Sequence, residues 1–280
     1  MERLHTRPIL FLSDFGFRNE LVGLCHSVIA RIAPESRIID LSHGVPPEDV
    51  LRAALLLSDC LRYAPEDAVL LAVVDPGVGT GRKDVAIETS GGRLLVGPDN
   101  GVLSLAWQAL GGAARAVEIA SPDVLLDPVA ATLHARDVLC PGAAHLATGT
   151  PLDRLGPPIE VAELVSLGLP EPELGAERIQ CEVLDLDRFG NVQLSVREKH
   201  LTAAGLDGAA DLGFESTSTS IRAKRVAAYA DVAVADYGAL IDHRGWLALV
   251  RNRANAAEGL GVLLGDPVWV TLPSGDSAPP

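Results

Sequence analysis

The chain has 280 residues, with 37 acidic and 23 basic side chains and a formal net charge of −14. Its 48% hydrophobic content excludes a disordered polymer. Its acidity excludes a general nucleic-acid binder, which needs lysine and arginine to displace counterions from phosphates. Cys25, Cys60, Cys140 and Cys181 are far apart, with no Cys-x-x-Cys pair, as expected of buried thiols in a reducing compartment. Met-Glu-Arg-Leu-His opens the chain without a signal peptide, and no apolar run approaches the roughly 18 residues of a membrane span. A soluble cytoplasmic protein is expected.

The first half alternates strand and helix signals. Pro8–Ser13 is a short apolar run typical of a buried parallel strand. Leu21, Leu24, Cys25, Val28 and Ile32 follow at helical spacing. Arg37–Leu41 is a second strand. Pro46-Pro47-Glu48-Asp49 is expected to form the first turn of a second helix, with a stripe at Val50, Ala53, Ala54, Leu57 and Leu61. Ala68–Val74 is a third buried strand. Val85–Thr89 and Leu94–Val96 form a strand pair joined at Gly91-Gly92. Val102–Leu110 and Ala135–Ala147 are further helices. This alternation predicts an α/β layer with a mainly parallel sheet over residues 1–160. Gly156-Pro157-Pro158 and Pro170-Glu171-Pro172 punctuate a stretch read as a linker, 161–177. From 178 to 280 the segments are short and β-rich: Ile179–Leu184, Val192–Val196, Ile221–Val226, Leu247–Val250 and Val268–Leu272. They predict a smaller antiparallel sheet or barrel, with a frayed tail from Pro273.

The most distinctive stretch is Asp75-Pro76-Gly77-Val78-Gly79-Thr80-Gly81-Arg82, directly after the third strand. A phosphate loop would have to open a helix, whereas Asp84–Thr89 alternates like a strand. Asp75 sits at the carboxyl end of a buried strand, where open α/β sheets bind ligands, and Arg82 can fold back to hold it. Asp14 occupies the equivalent place after the first strand. It suits either a vicinal diol such as ribose or a helix N-cap. His134 lies at a helix start in Thr132-Leu133-His134-Ala135-Arg136-Asp137. Asp187-Arg188-Phe189-Gly190-Asn191, Asp242-His243-Arg244-Gly245-Trp246 and Pro98-Asp99-Asn100-Gly101 each read locally as turns.

In this order and spacing the chain resembles the S-adenosylmethionine hydroxide adenosyltransferases, hydrolases related to bacterial fluorinases and chlorinases. The resemblance rests on Ser13–Gly16, Asp40–Val50, Asp75–Arg82, Pro98–Gly101, Thr132–Val138, Asp187–Asn191 and Arg244–Asn252. It implies an N-terminal α/β domain and a C-terminal β-barrel. It also implies a homotrimer with active sites between subunits. The implied reaction converts S-adenosylmethionine and water to adenosine and methionine, with no metal or cofactor. Asp75, Arg82 and His134 are the implied catalytic set, and either Asp75 or His134 contacts the water. Asp14 would hold the ribose hydroxyls, Asp187 the methionine ammonium, and Phe189 and Asn191 the adenine side. Arg244 would meet the methionine carboxylate with His243 beside it, and Arg253 would bind adenine through its backbone. Fluorinases carry Tyr in place of Asp75 and Ser in place of Ala135, so hydrolysis is favoured over halogenation. Asn19, Leu133 and His243 also depart from the family pattern. A halogenase, or a sensor that binds without turnover, is the alternative.

Overall fold

The computed structural model describes residues 6–273, so the tail expected to fray falls almost entirely outside the described residues. The chain divides into two compact units after Leu167. In the first unit, strands β1 (Ile9–Ser13), β2 (Ile38–Ser42) and β3 (Val69–Val73) alternate with helices α1 (Leu21–Ile32) and α2 (Val50–Cys60). Strands β4 (Asp84–Thr89) and β5 (Leu94–Pro98) form the expected hairpin. Helix α3 (Ser104–Ala109), strand β6 (Ala113–Glu118), helix α4 (Cys140–Ala147) and strand β7 (Pro158–Ile159) follow. The sheet order is β2-β1-β3-β5-β4-β6-β7. The β1–β2, β1–β3 and β3–β5 pairs are parallel, while β4, β6 and β7 join antiparallel.

Successive side chains of a strand point to opposite faces, so a strand apolar throughout needs cover on both. In β1, Ile9 and Phe11 enter one core with Cys25, Ile29, Val138 and Ala143. Leu10 and Leu12 enter the other with Ala53, Leu57, Leu103 and Trp107. That two-sided burial is why Pro8–Ser13 and Ala68–Val74 carry no polar alternation.

Two helix starts differ from the sequence reading. Asp49 is the N-cap of α2, its carboxylate accepting the Arg52 N–H at 3.0 Å, so Pro46–Glu48 lie outside the helix. Ahead of α4, residues Ala135–Leu139 form a π-helical turn instead of continuing one α-helix. Pro141 has no N–H to return to the Asp137 carbonyl, and that carbonyl accepts the Leu126 N–H at 3.0 Å.

The stretch expected as a linker is bound at both ends. The Leu167 N–H donates to Ser104 Oγ at 3.0 Å and the Val165 N–H to Asp99 Oδ1 at 2.9 Å, within the first unit. Strand β8 (Glu173–Gly175) pairs with β9 (Arg178–Leu186) in the second.

The second unit contains β10 (Val192–Arg197), α5 (Glu198–Ala203), β11 (Asp211–Glu215), β12 (Ser220–Arg225), β13 (Tyr237–Ile241), β14 (Trp246–Arg251), α6 (Ala256–Leu260) and β15 (Pro267–Thr271). Its strand order, β10-β14-β13-β12-β11-β15-β9, closes through a β9–β10 pairing into a seven-stranded barrel. Ile179, Cys181 and Val183 of β9 point inward with Leu194, Phe214 and Leu249. The barrel is not purely antiparallel, because β12 and β13 pair in parallel. Residues 226–236 are long enough to cross over where a two-residue turn would have forced a hairpin.

Candidate active site

The carboxyl edge of the parallel strands carries three acidic side chains. Asp14 follows β1 and Asp75 follows β3. Asp84 opens β4, which runs antiparallel to β5 and therefore starts at that same edge, opposite Pro98.

Four side chains join there into one hydrogen-bonded chain. Arg82 donates through Nη2 to Asp75 Oδ2 and through Nη1 to Asp84 Oδ1 at 2.8 Å. The other oxygen of Asp84 lies 2.7 Å from His134 Nδ1. The Arg82, Asp75 and Asp84 side chains are at most 9% exposed and His134 is 19% exposed, so water screens these charges weakly. Asp75 also accepts the Gly77 N–H at 3.2 Å. Burial raises the Asp75 carboxyl above its ordinary value, Arg82 pulls it back, and nearby Asp84 raises it again. The net direction is upward, so Arg82 only partly offsets burial.

One glycine of the loop is required by backbone geometry. A Cβ on Gly79, whose φ is +78°, would fall 2.6 Å from the Ala131 carbonyl oxygen, close in sequence to His134. The turn Pro98–Gly101 braces the same edge. Asn100 Nδ2 donates to the Val74 carbonyl at 2.8 Å, and the Asp99 N–H donates to the Lys83 carbonyl at 2.9 Å. Asp14 does not cap α1, whose N-cap is Glu20. Its Oδ2 accepts the Glu48 N–H at 3.0 Å, where Glu48 takes a left-handed φ of +66°.

The C-terminal candidates cluster around two cavities of the barrel unit. Asp187, Phe189, Asn191 and Arg253 line a cavity of about 540 Å³ together with Tyr229 and Asn252. Asp187 and Asn191 also line a smaller one, about 60 Å³, with His243, Arg244, Tyr229 and Asp242. Asp187 is locked by its own turn. Its Oδ1 accepts the Phe189 and Asn191 N–H groups at 2.8 and 3.0 Å, and its Oδ2 accepts Asn191 Nδ2 at 2.8 Å. Phe189 is 64% exposed, with the Arg188 guanidinium 4.7 Å from its ring centre. Such an exposed aromatic is suited to stack a flat ring. Arg244 Nη1 donates to Asp185 Oδ2 at 3.1 Å and to Gln193 Oε1 at 3.3 Å. Arg253 has a left-handed φ of +56°, which makes its backbone distinctive.

Gly190 holds this wall in place. A Cβ at its φ of +81° would lie 2.1 Å from Asn255 Oδ1, and its carbonyl accepts the N–H groups of Ala256 and Ala257, both at 3.0 Å. Gly190→Ala is expected to destabilise the protein by about 1–3 kcal/mol. Thermal unfolding would measure this, and a melting temperature equal to that of the parent chain would contradict the packing argument.

Sequence reasoning missed Asp84, Asp185, Gln193 and Tyr229, and gave Asp242 no role beyond its turn. The available signal was an acid opening the apolar run Val85-Ala86-Ile87, and another between Leu184 and Leu186. Charge at a strand position with apolar neighbours on both sides needs a buried partner.

Residues 9–156 match the SAM hydroxide adenosyltransferase N-terminal domain, and residues 181–269 match the C-terminal domain of the same family. The chain is 42% identical to an (R)-S-adenosyl-L-methionine hydrolase of Salinispora tropica, over 95% of this chain and 98% of that one. It is 40% identical to the enzyme of that name from Thermus thermophilus, over 94% and 98%. A fluorinase of Nocardia brasiliensis is 27% identical over 95% and 97%. A crystal structure of a conserved protein from Thermotoga maritima superposes with a TM-score of 0.86 at 32% identity, covering 94% of this chain and 99% of that one. Among the described residues no helix is long and apolar enough to cross a membrane.

Proposed function

Because the chain belongs to the SAM hydroxide adenosyltransferase family, we propose that it hydrolyses S-adenosyl-L-methionine to adenosine and L-methionine. The observation that carries this reading is the Asp75–Arg82–Asp84–His134 chain, which ends on an imidazole held through Nδ1. With Nδ1–H donated to Asp84, the lone pair resides on Nε2, the arrangement of a general base. A water held in line with ribose C5′ gives a proton to His134 Nε2 as its oxygen bonds to C5′. The C5′–S bond breaks with its electron pair leaving on sulfur, which becomes the neutral thioether of methionine. The sulfonium is a leaving group without protonation, so the step asks for no cofactor or metal. Holding the water at attack distance supplies several kcal/mol. Asp75, beside Arg82, orients the water from its second side.

In this reading Asp14 holds the ribose hydroxyls, and Phe189, Asn191 and the Arg253 backbone hold adenine. Asp187 meets the methionine ammonium, and Arg244, with His243 beside it, meets the carboxylate. Asp185 and Gln193 aim the Arg244 guanidinium. The finer proposal is a cytoplasmic homotrimer in which the N-terminal set of one subunit works with the C-terminal set of its neighbour. Four free cysteines suit a reducing compartment, and light scattering tests the trimer.

Incubation with S-adenosyl-L-methionine is expected to release adenosine and methionine in equal amounts, followed by chromatography. His134→Ala and Asp75→Ala should each lower turnover by about 10²–10⁴. Undiminished turnover in both variants, or no adenosine above background, would overturn the proposal. The Asp75 carboxylate repels a halide, so high chloride should yield no 5′-chloro-5′-deoxyadenosine.

A further inference from the structure

Two strands away from Asp75, at the edge of the same sheet, a second polar cluster takes no part in the reaction proposed above. It is made of His26 on α1, Asp40 on β2 and His43 just after β2. His26 Nε2 lies 2.9 Å from Asp40 Oδ1, and His43 Nε2 lies 3.1 Å from the same oxygen. The three candidate ligand atoms all fall within 4.8 Å of one another.

The cluster is only partly satisfied as a hydrogen-bond network: His26 Nε2 pairs with Asp40 Oδ1, but one buried nitrogen of His43 is left over. The His43 side chain is fully buried, and its Nε2 has no partner with hydrogen-bond geometry, although it faces the Asp40 carboxylate. Its other nitrogen is occupied, because Ser13 Oγ lies 2.7 Å from Nδ1. Phe11 and Phe17 pack edge-on against the ring, with centroids 4.7 and 5.1 Å away, and fix its plane. When Nδ1–H donates to Ser13, Nε2 presents a buried lone pair toward a carboxylate oxygen. In that tautomer the two acceptors repel, and a metal cation between them relieves the repulsion. An imidazole oriented by a hydroxyl on its far nitrogen is the second-shell arrangement of a metal ligand. Two imidazole nitrogens and one carboxylate oxygen match borderline divalent ions, with tetrahedral zinc as the reference case. The His26 and Asp40 side chains are one-third exposed, which leaves an entry path and room for water to complete the coordination.

We propose that His26, Asp40 and His43 form a binding site for a divalent transition-metal ion of the zinc type. The site is joined to the Asp14 loop, since the His43 carbonyl accepts the Gly16 N–H at 2.7 Å and Ser13 Oγ accepts the Phe15 N–H at 3.3 Å. A bound ion therefore ties α1, the end of β2 and that loop together.

The test uses the full-length protein stripped with chelator and dialysed against Zn²⁺ alone, with bound metal measured by mass spectrometry. The unmodified chain is expected to hold about one ion more than His26→Ala, whose partly exposed side chain can be removed without opening the core. Ser13→Ala, which removes the orienting hydroxyl and with it a long bond from the Phe15 N–H, should weaken binding by about 10-fold. Co²⁺ added to the unmodified chain should show the intense visible bands of four- or five-coordinate cobalt, and Zn²⁺ should displace them. Equal zinc content and affinity in the parent chain and His26→Ala would overturn the proposal. So would a cobalt spectrum indistinguishable from that of the aqua ion.

Discussion

Asp84→Asn is expected to lower kcat by about 10²–10⁴ while leaving KM for S-adenosyl-L-methionine nearly unchanged. The substitution keeps the shape of the side chain. Its carbonyl oxygen still accepts from Arg82 Nη1, as Asp84 Oδ1 does at 2.8 Å. On the other side an amide N–H would replace the oxygen that lies 2.7 Å from His134 Nδ1. The amide donates, so Nδ1 must accept, and the ring proton moves to Nε2. The nitrogen that has to receive a proton then already carries one. The negative charge that stabilises the imidazolium disappears as well. Steady-state kinetics alongside thermal unfolding separates this effect from misfolding. A variant within tenfold of the parent kcat would show that His134 does not act through Nε2, or that Asp84 does not set its tautomer.

Arg82→Met is expected to be the most destabilising of the substitutions considered, costing about 3–5 kcal/mol at neutral pH. Methionine has similar volume but leaves Asp75 and Asp84, both nearly buried, facing each other without the guanidinium. The pH dependence follows from Asp75. Burial already raises its carboxyl above the ordinary 3.8, and Arg82 is the largest opposing influence. Removing Arg82 raises it further in the folded state, so folding then favours the protonated acid. The cost is absent below the ordinary carboxylate value and grows as pH rises through the raised one. The gap in melting temperature between parent and variant should therefore narrow on acidification. A gap independent of pH would place the cost in lost packing and not in charge.

The α/β half was legible because its strands are buried on both faces. Ile9–Leu12 and Ala68–Val74 are apolar at every position, the pattern of short strands covered on both faces. The barrel half was only partly legible. Asp211–Glu215 contains a glycine and two acids, and Tyr237–Ile241 begins with a residue that is only partly buried. Their strand character comes from closing the barrel, which is a property of the whole ring of strands. The catalytic candidates were legible one at a time, through acids at strand ends, but their connection was not. Asp84 reads locally as a polar strand terminus. What makes it central is that β4 starts at the edge where β3 ends, and this depends on β4 running antiparallel to β5. Likewise the π-helical turn after His134 has its cause in Pro141, yet the partner that takes up the released carbonyl, Leu126, is set by a loop with no periodic signal.

In the proposed mechanism the cluster around Arg82 also fixes where charge can reside during turnover. The proposed step requires both carboxylates ionised and the imidazole neutral, and in that state the four side chains carry one negative charge in excess. A sulfonium brings one positive charge, so the proposed reactant state is balanced. When the C5′–S bond breaks, sulfur becomes neutral, and the proton taken from water leaves His134 as the new cation. Positive charge thus moves from substrate to protein within one poorly screened volume, with no net charge created or lost. The electrostatic work of the step is then that of a relocation over a short distance. The enclosure regains its excess negative charge only when the imidazolium releases its proton to solvent, which readies it for the next cationic substrate and offers no attraction to neutral adenosine.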